Sequence, residues 1–256
     1  MSKRKKFVLT SFILTAGFLI LLFLNYKFRF VGISVLTFFT FLLFVWSLRE
    51  GLRINTTLFT LVLPIMFTLS VGLFWFLLPA NFYAQFPILI FYGLGIYTLC
   101  LVSNIFTVAA IRTIALTRAA KGVGFVLTLV VSFLLFDTAL SLKLPIWIST
   151  IMVLLISFVL IIQSLWSVIL DGSNNKLLFT YSFYFSLIIS QVFVLMFFWP
   201  VTVVVGSLFL TVLIYVLLGL GQAKIEGRLF PQTMREYLLV GILVFFGMFI
   251  ATRWGS

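Results

Sequence analysis

Histidine is missing from this chain altogether, and cysteine occurs once, at Cys100. Those two facts exclude an imidazole base, a His/Cys metal site and an intramolecular disulfide. Acid is almost as scarce, with five Asp and Glu against 17 Lys and Arg in 256 residues. No two acids share an apolar run, and no Asp-rich motif is present to hold Mg²⁺ and a pyrophosphate. Charge of either sign makes up only 9% of the residues. A soluble domain carries about a quarter.

What the chain has instead is hydrocarbon. It is 64% hydrophobic, with a mean hydropathy of +1.32. The composition specifies an all-α integral membrane protein. The longest polar stretch, Gln222 to Glu236, leaves no room for a soluble domain. The basic excess, with a pI near 10.2, would suggest nucleic acid in a soluble protein. Here the charges fall between apolar runs and form no basic stripe with interleaved aromatics, so nucleic acid is not an expected partner. The expected partners are membrane lipids and other membrane proteins, and no cofactor is expected.

A spanning helix needs about 20 apolar residues. Runs of that kind fall at 7–24, 30–48, 58–78, 88–110, 123–142, 144–170, 177–199, 201–221 and 237–252. The result is a polytopic bundle of nine spans, or eight if the short last run lies at the interface. The first run follows "MSKRKK" and reads as an uncleaved span: it is too long for a signal-peptide core, and no A-x-A-like site follows it.

The positive-inside rule then orients the bundle. With the N-terminus inside, the inner segments hold every Lys and Arg of the 17 except Lys27, Arg29, Lys143 and Arg253. The expected location is a bacterial cytoplasmic membrane, crossed many times. Tryptophan favours the headgroup level, and all six tryptophans fall near span ends: Trp46 and Trp166 inside, Trp75, Trp147, Trp199 and Trp254 outside.

Short matches recur in order along the chain. Phe7–Thr10 and Phe125–Thr128 both read FVLT, and Trp46-Ser47 returns at Trp166-Ser167. Leu58–Thr60 returns at Leu178–Thr180, and Gly-Leu-Gly occurs at Gly93–Gly95 and Gly219–Gly221. Coincidence in a chain of few residue types is one explanation. Duplication is the other, giving two parallel four-helix repeats and one appended helix. The organisation is then 1–6, a basic cytoplasmic start; 7–122, spans 1–4 with a basic inner loop; 123–221, spans 5–8; and 222–256, a loop and last helix.

Ionisable residues inside a membrane cost roughly 2.5–3.5 kcal/mol at the helix centre and are functional candidates. Asp137 is the clear case, although it lies only about 8 Å below the outer edge of span 5. An ion pair with Lys27, Arg29 or Lys143 is the expected use, with a proton or substrate role as the alternative. Asn104, Gln163 and Gln191 are the other strongly polar intramembrane residues, expected to bond between helices. Gln191 would pair with Asp137 if spans 5 and 7 touch. In the loop Ala109–Gly124, Arg112, Arg118 and Lys121 could contact anionic lipid from an interfacial helix, or the loop could simply extend spans 4 and 5. Glu50, Glu226 and Glu236, each near an arginine, read as solvated ion pairs. The 33 phenylalanines are spread around the helix faces, which suits lipid exposure, and tight GxxxG pairing is not signalled.

Three functional classes fit these residues. A non-enzymatic membrane component or scaffold explains the scarcity of polar groups most directly. A transporter or translocator of a lipid-like or amphiphilic substrate is the alternative. A membrane-embedded enzyme on lipid-linked substrates is disfavoured by the missing histidine and paired acids.

Overall fold

A computed structural model describes residues 3–22, 24, 28–49, 54–78, 82–110, 115–170 and 175–252. Within them the chain forms nine helices: α1 (Lys3–Leu22), α2 (Arg29–Leu48), α3 (Ile54–Trp75), α4 (Phe82–Ala109), α5 (Thr117–Ser141), α6 (Ile146–Ile169), α7 (Asn175–Phe198), α8 (Val203–Ile225) and α9 (Pro231–Ala251). Eight of them, α2 to α9, are long and apolar enough to cross a membrane. The protein is thus an all-α, polytopic membrane bundle. Helices dominate because a backbone in hydrocarbon must satisfy its own hydrogen bonds.

At the helix ends one expected bound shifts and one pair of alternatives is narrowed. The ninth run is not a short one: α9 begins at Pro231 and carries Arg235 and Glu236 in its first turns. Proline at the first helical position forfeits an amide that would have had no acceptor there, so the helix can start on the polar loop. The basic loop Ala109–Gly124 forms no separate interfacial helix among the described residues. As in the alternative of an extended span 5, α5 starts at Thr117 and takes up its second half.

The chain divides into two compact units, Met1–Leu127 and Thr128–Ser256, the division falling within α5. In the first unit α1 packs on α2 and α4, while α3 lies against α2 and α4. The core there is Leu14, Phe18, Ile33, Phe44, Phe67, Tyr92 and Ile96. In the second unit α6 packs on α7 and α8, α7 also meets α8, and α9 lies on α8. Met248 is the one residue of α9 that is fully buried.

The residues between α5 and α6 make a tight turn, in which Lys143 adopts φ +46°. For a non-glycine residue this left-handed conformation costs about 1–2 kcal/mol. Glycine is the usual solution just past a helix end, and at the end of α8 Gly227 supplies it, with φ +67°.

The tryptophans divide by orientation. Trp46 and Trp147 point outward, as headgroup anchors should. Trp75 and Trp166 are instead buried inside their own units, and Trp254 lies outside the described residues. A ring at a helix end therefore serves the bundle core as readily as the interface.

Candidate functional site

Polar side chains in an apolar bundle must find partners within it. In the first unit, Thr40 of α2, Thr68 of α3 and Tyr92 of α4 are all fully buried. The Thr40 hydroxyl donates to the Leu36 carbonyl at 2.9 Å. The order that gives each of the three protons an acceptor has Thr68 donating to Thr40 across 3.0 Å and Tyr92 to Thr68 across 3.2 Å. The result is a directed chain through three helices, ending on a backbone carbonyl. Aromatic rings seal it: Tyr92 stacks on Phe18 at 4.6 Å and on Phe67 at 5.9 Å. Nearby, the Ser11 hydroxyl of α1 donates to the Gly93 carbonyl of α4 at 2.7 Å.

In the second unit Asp137 and Ser207 lie toward helix ends. Asp137 sits four residues before the end of α5 and is 5% exposed. The Ser207 hydroxyl donates to Asp137 Oδ1 at 3.4 Å, and to the Val204 carbonyl at 3.0 Å. One proton serves both acceptors, and the carboxylate has the longer contact. Gly206, beside Ser207 on α8, eases the approach: a Cβ there would meet Leu140 Cδ1 at a tight 3.2 Å. Asp137 and Leu140 lie three residues apart on one helical face, so both meet the start of α8.

Within the second unit, the partner described for Asp137 is the Ser207 hydroxyl and not Lys143. Among the described residues Asp137 has a hydroxyl partner, and the ion pair found is Arg228 with Glu226. Lys143 is exposed in its turn rather than folded back along α5. Arg29 belongs to the first unit, where its Nε donates to the Leu24 carbonyl at 3.4 Å and its guanidinium lies over Phe76. Lys27 lies outside the described residues. Gln191 is exposed on α7 and is not Asp137's partner.

The other amides also separate. Gln163 is 2% exposed, and its Oε1 has no partner among the described residues. One residue along α6, Ser164 accepts from Gln222 Nε2 of α8 at 3.1 Å. Asn104 is half-buried on α4, and the hydrogen bond it accepts, from Thr107, is to its backbone carbonyl. Arg118 is exposed and Lys121 half-buried on the first turns of α5, while Arg112 lies outside the described residues. Of the three acids near arginines, Glu226 pairs with Arg228, Glu236 accepts from Gln232 at 3.3 Å, and Glu50 lies outside the described residues.

Two features were missed by inspection of the sequence. Thr40, Thr68 and Tyr92 look unremarkable in apolar runs, yet they form the longest side-chain hydrogen-bond chain described. The Gly-Leu-Gly segments, read as repeat markers, are seats for aromatic rings. A Cβ at Gly95 would stand 2.2 Å from Phe67, and one at Gly219 would stand 2.2 Å from Tyr237 of α9.

If Asp137 is held by Ser207, Ser207→Ala should lower thermal stability in detergent by about 0.5–1 kcal/mol, a usual value for one interhelical bond. Asp137→Asn still accepts from Ser207 and should unfold at or above the wild-type temperature. A much larger loss for Asp137→Asn would mean that a charge partner holds the carboxylate after all.

No curated protein and no solved structure matches the chain. A family model described as "Protein of unknown function (DUF5656)" matches residues 26–251. That stretch contains the Thr40–Thr68–Tyr92 chain and the Asp137–Ser207 contact, and leaves α1 outside it. The match covers well over half of the sequence, and the chain belongs to the DUF5656 family.

Proposed function

We propose that the protein is a non-enzymatic, multi-pass membrane component that engages lipids and other membrane proteins through its outer surfaces. The distribution of polar and apolar groups on the helices supports this reading. Thr40, Thr68 and Tyr92 bond to one another inside the first unit, as Gln222 does to Ser164 in the second. By contrast α9 turns Leu239, Leu243, Phe246 and Ile250 outward. A helix that buries so little against its own chain keeps most of its apolar surface for lipid or a neighbouring helix. The orientation we infer is N-terminus inside, in a bacterial cytoplasmic membrane, supported by the positive-inside distribution of Lys and Arg.

A second reading, translocation of an amphiphilic or lipid-like substrate, draws support from the second unit. It holds polar groups near both ends of its helices, Asp137 with Ser207 at one and Gln163, Ser164 and Gln222 at the other.

Reconstitution separates the two. In vesicles carrying a fluorescent phospholipid, the protein should leave the rate of transbilayer movement at the protein-free value. Extracted in native nanodiscs, the 29.2 kDa chain should run in complexes of fixed stoichiometry. Faster lipid crossing would overturn the non-translocating reading and support the second one.

A further inference from the structure

Two cavities, one partly polar and one almost wholly apolar, adjoin at the end of the second unit where α5 stops and α8 begins. One, of about 340 Å³, is walled by Leu140, Lys143, Thr202, Val203 and Gly206. The other, of about 500 Å³, is walled by Val192, Leu195, Phe198, Phe209 and Phe245. Met196 and Trp199 belong to both walls. Each volume falls in the range of about 300–1,000 Å³ usual for small-molecule sites.

The smaller cavity gathers donors of several kinds. Lys143 is exposed, and its ammonium has no ion-pair partner among the described residues. Among the described residues it is one of two non-glycines with positive φ, a position where glycine would be less strained. Strain of that kind clusters at functional sites. Thr202 is the residue before α8, and its hydroxyl makes no capping bond. The first amides of α8, beginning at Val203, have no acceptor within the helix. Ammonium, hydroxyl and amide N–H together suit an anion with several acceptor oxygens. The larger cavity offers hydrocarbon and aromatic rings, which suit an alkyl chain. Trp199, whose indole N–H donates to Thr252 at 2.8 Å, stands between the two with its ring held in place.

We propose that this end of the second unit binds one membrane phospholipid. Its phosphodiester lies against Lys143, Thr202 and the start of α8, and one acyl chain lies in the cavity beside Phe209 and Phe245. Asp137 lies one turn behind Leu140 and does not line the headgroup cavity, so the phosphate does not face its carboxylate directly. The proposal concerns binding and does not depend on whether the protein moves lipid across the membrane.

The test uses the full chain, delipidated in detergent and examined by native mass spectrometry and thermal unfolding. The added probes are phosphatidylethanolamine, phosphatidylglycerol, diacylglycerol and glycerol 3-phosphate. Either phospholipid should stay bound and raise the melting temperature. Diacylglycerol, lacking the phosphate, and glycerol 3-phosphate, lacking the chains, should do neither. Lys143→Gly suits the left-handed turn, so it should melt no lower than wild type without lipid. It should bind phospholipid about tenfold more weakly, the scale of one lost charge-assisted contact. Thr202→Val, which preserves the shape of the residue, should weaken binding in the same direction. Equal retention of diacylglycerol and phospholipid, or wild-type phospholipid binding by both variants, would overturn the proposal. Tight binding of glycerol 3-phosphate alone would also overturn it, by showing a soluble phosphate compound to be the ligand.

Discussion

Tyr92→Ala should destabilise the first unit by about 3–5 kcal/mol, the range for deleting a large aromatic side chain from a packed core. Tyr92 is fully buried, with Phe18 stacked on it and Phe67 nearly parallel at an interplanar angle of 5°. Deletion would unsupport both rings and leave Thr68 without its incoming hydrogen bond. Tyr92→Phe separates the two contributions. It keeps the rings in place and removes only the donor at the head of the chain, so it should cost about 1 kcal/mol. Thermal unfolding in detergent, followed by near-ultraviolet circular dichroism, reads both variants. If they proved equally harmful, the hydroxyl and not the ring packing would be the main contribution.

Gly95→Ala should also destabilise, although alanine is the better helix former by about 1 kcal/mol. The added methyl would stand 2.2 Å from Phe67 Cζ and 2.7 Å from Cε1. Phe67 is fully buried and cannot swing away without leaving Tyr92. Overpacking of this kind costs about 1–3 kcal/mol, so the clash should outweigh the propensity gain. Phe67→Leu shortens the obstructing ring and should restore part of the loss in the double variant. At Gly219 the obstructing ring is Tyr237, which is only half-buried. Gly219→Ala should therefore be the milder change, absorbed by movement of α9. Melting temperatures of the four variants against wild type decide the matter. A stabilising Gly95→Ala would show that the Phe67 ring yields.

The helices could be read from the sequence because a spanning helix is defined by length and hydropathy, both properties of a single run. Their ends were less legible where polar residues continue a helix past its apolar part, as at Arg118 in α5 and Arg235 in α9. Facing was not legible at all. Gln163 and Gln191 are the same residue at comparable positions in apolar runs, yet one is buried and the other exposed. When nearly every residue is hydrophobic, no contrast marks the inward side. The Thr40–Thr68–Tyr92 chain was hidden for a related reason: threonine can satisfy itself on the carbonyl one turn earlier, so its presence in a helix demands no partner. The signal that was available lay beside Tyr92, in the two glycines that admit Thr15 and Phe67. Asp137 was found because a lone acid in hydrocarbon is conspicuous. Its contact with Ser207 was not legible because serine carries no charge to attract attention.

The sealed chain in the first unit has a consequence for proton exchange. Each hydroxyl proton points along one line, from Tyr92 through Thr68 and Thr40 to the Leu36 carbonyl, and all three side chains are fully buried. Water reaches those protons only when α2, α3 and α4 separate, so their exchange with solvent keeps time with the opening of the unit as a whole. The second unit offers no such clock at Asp137, whose contact lies close to the helix ends and can open with a local fraying of α5 or α8.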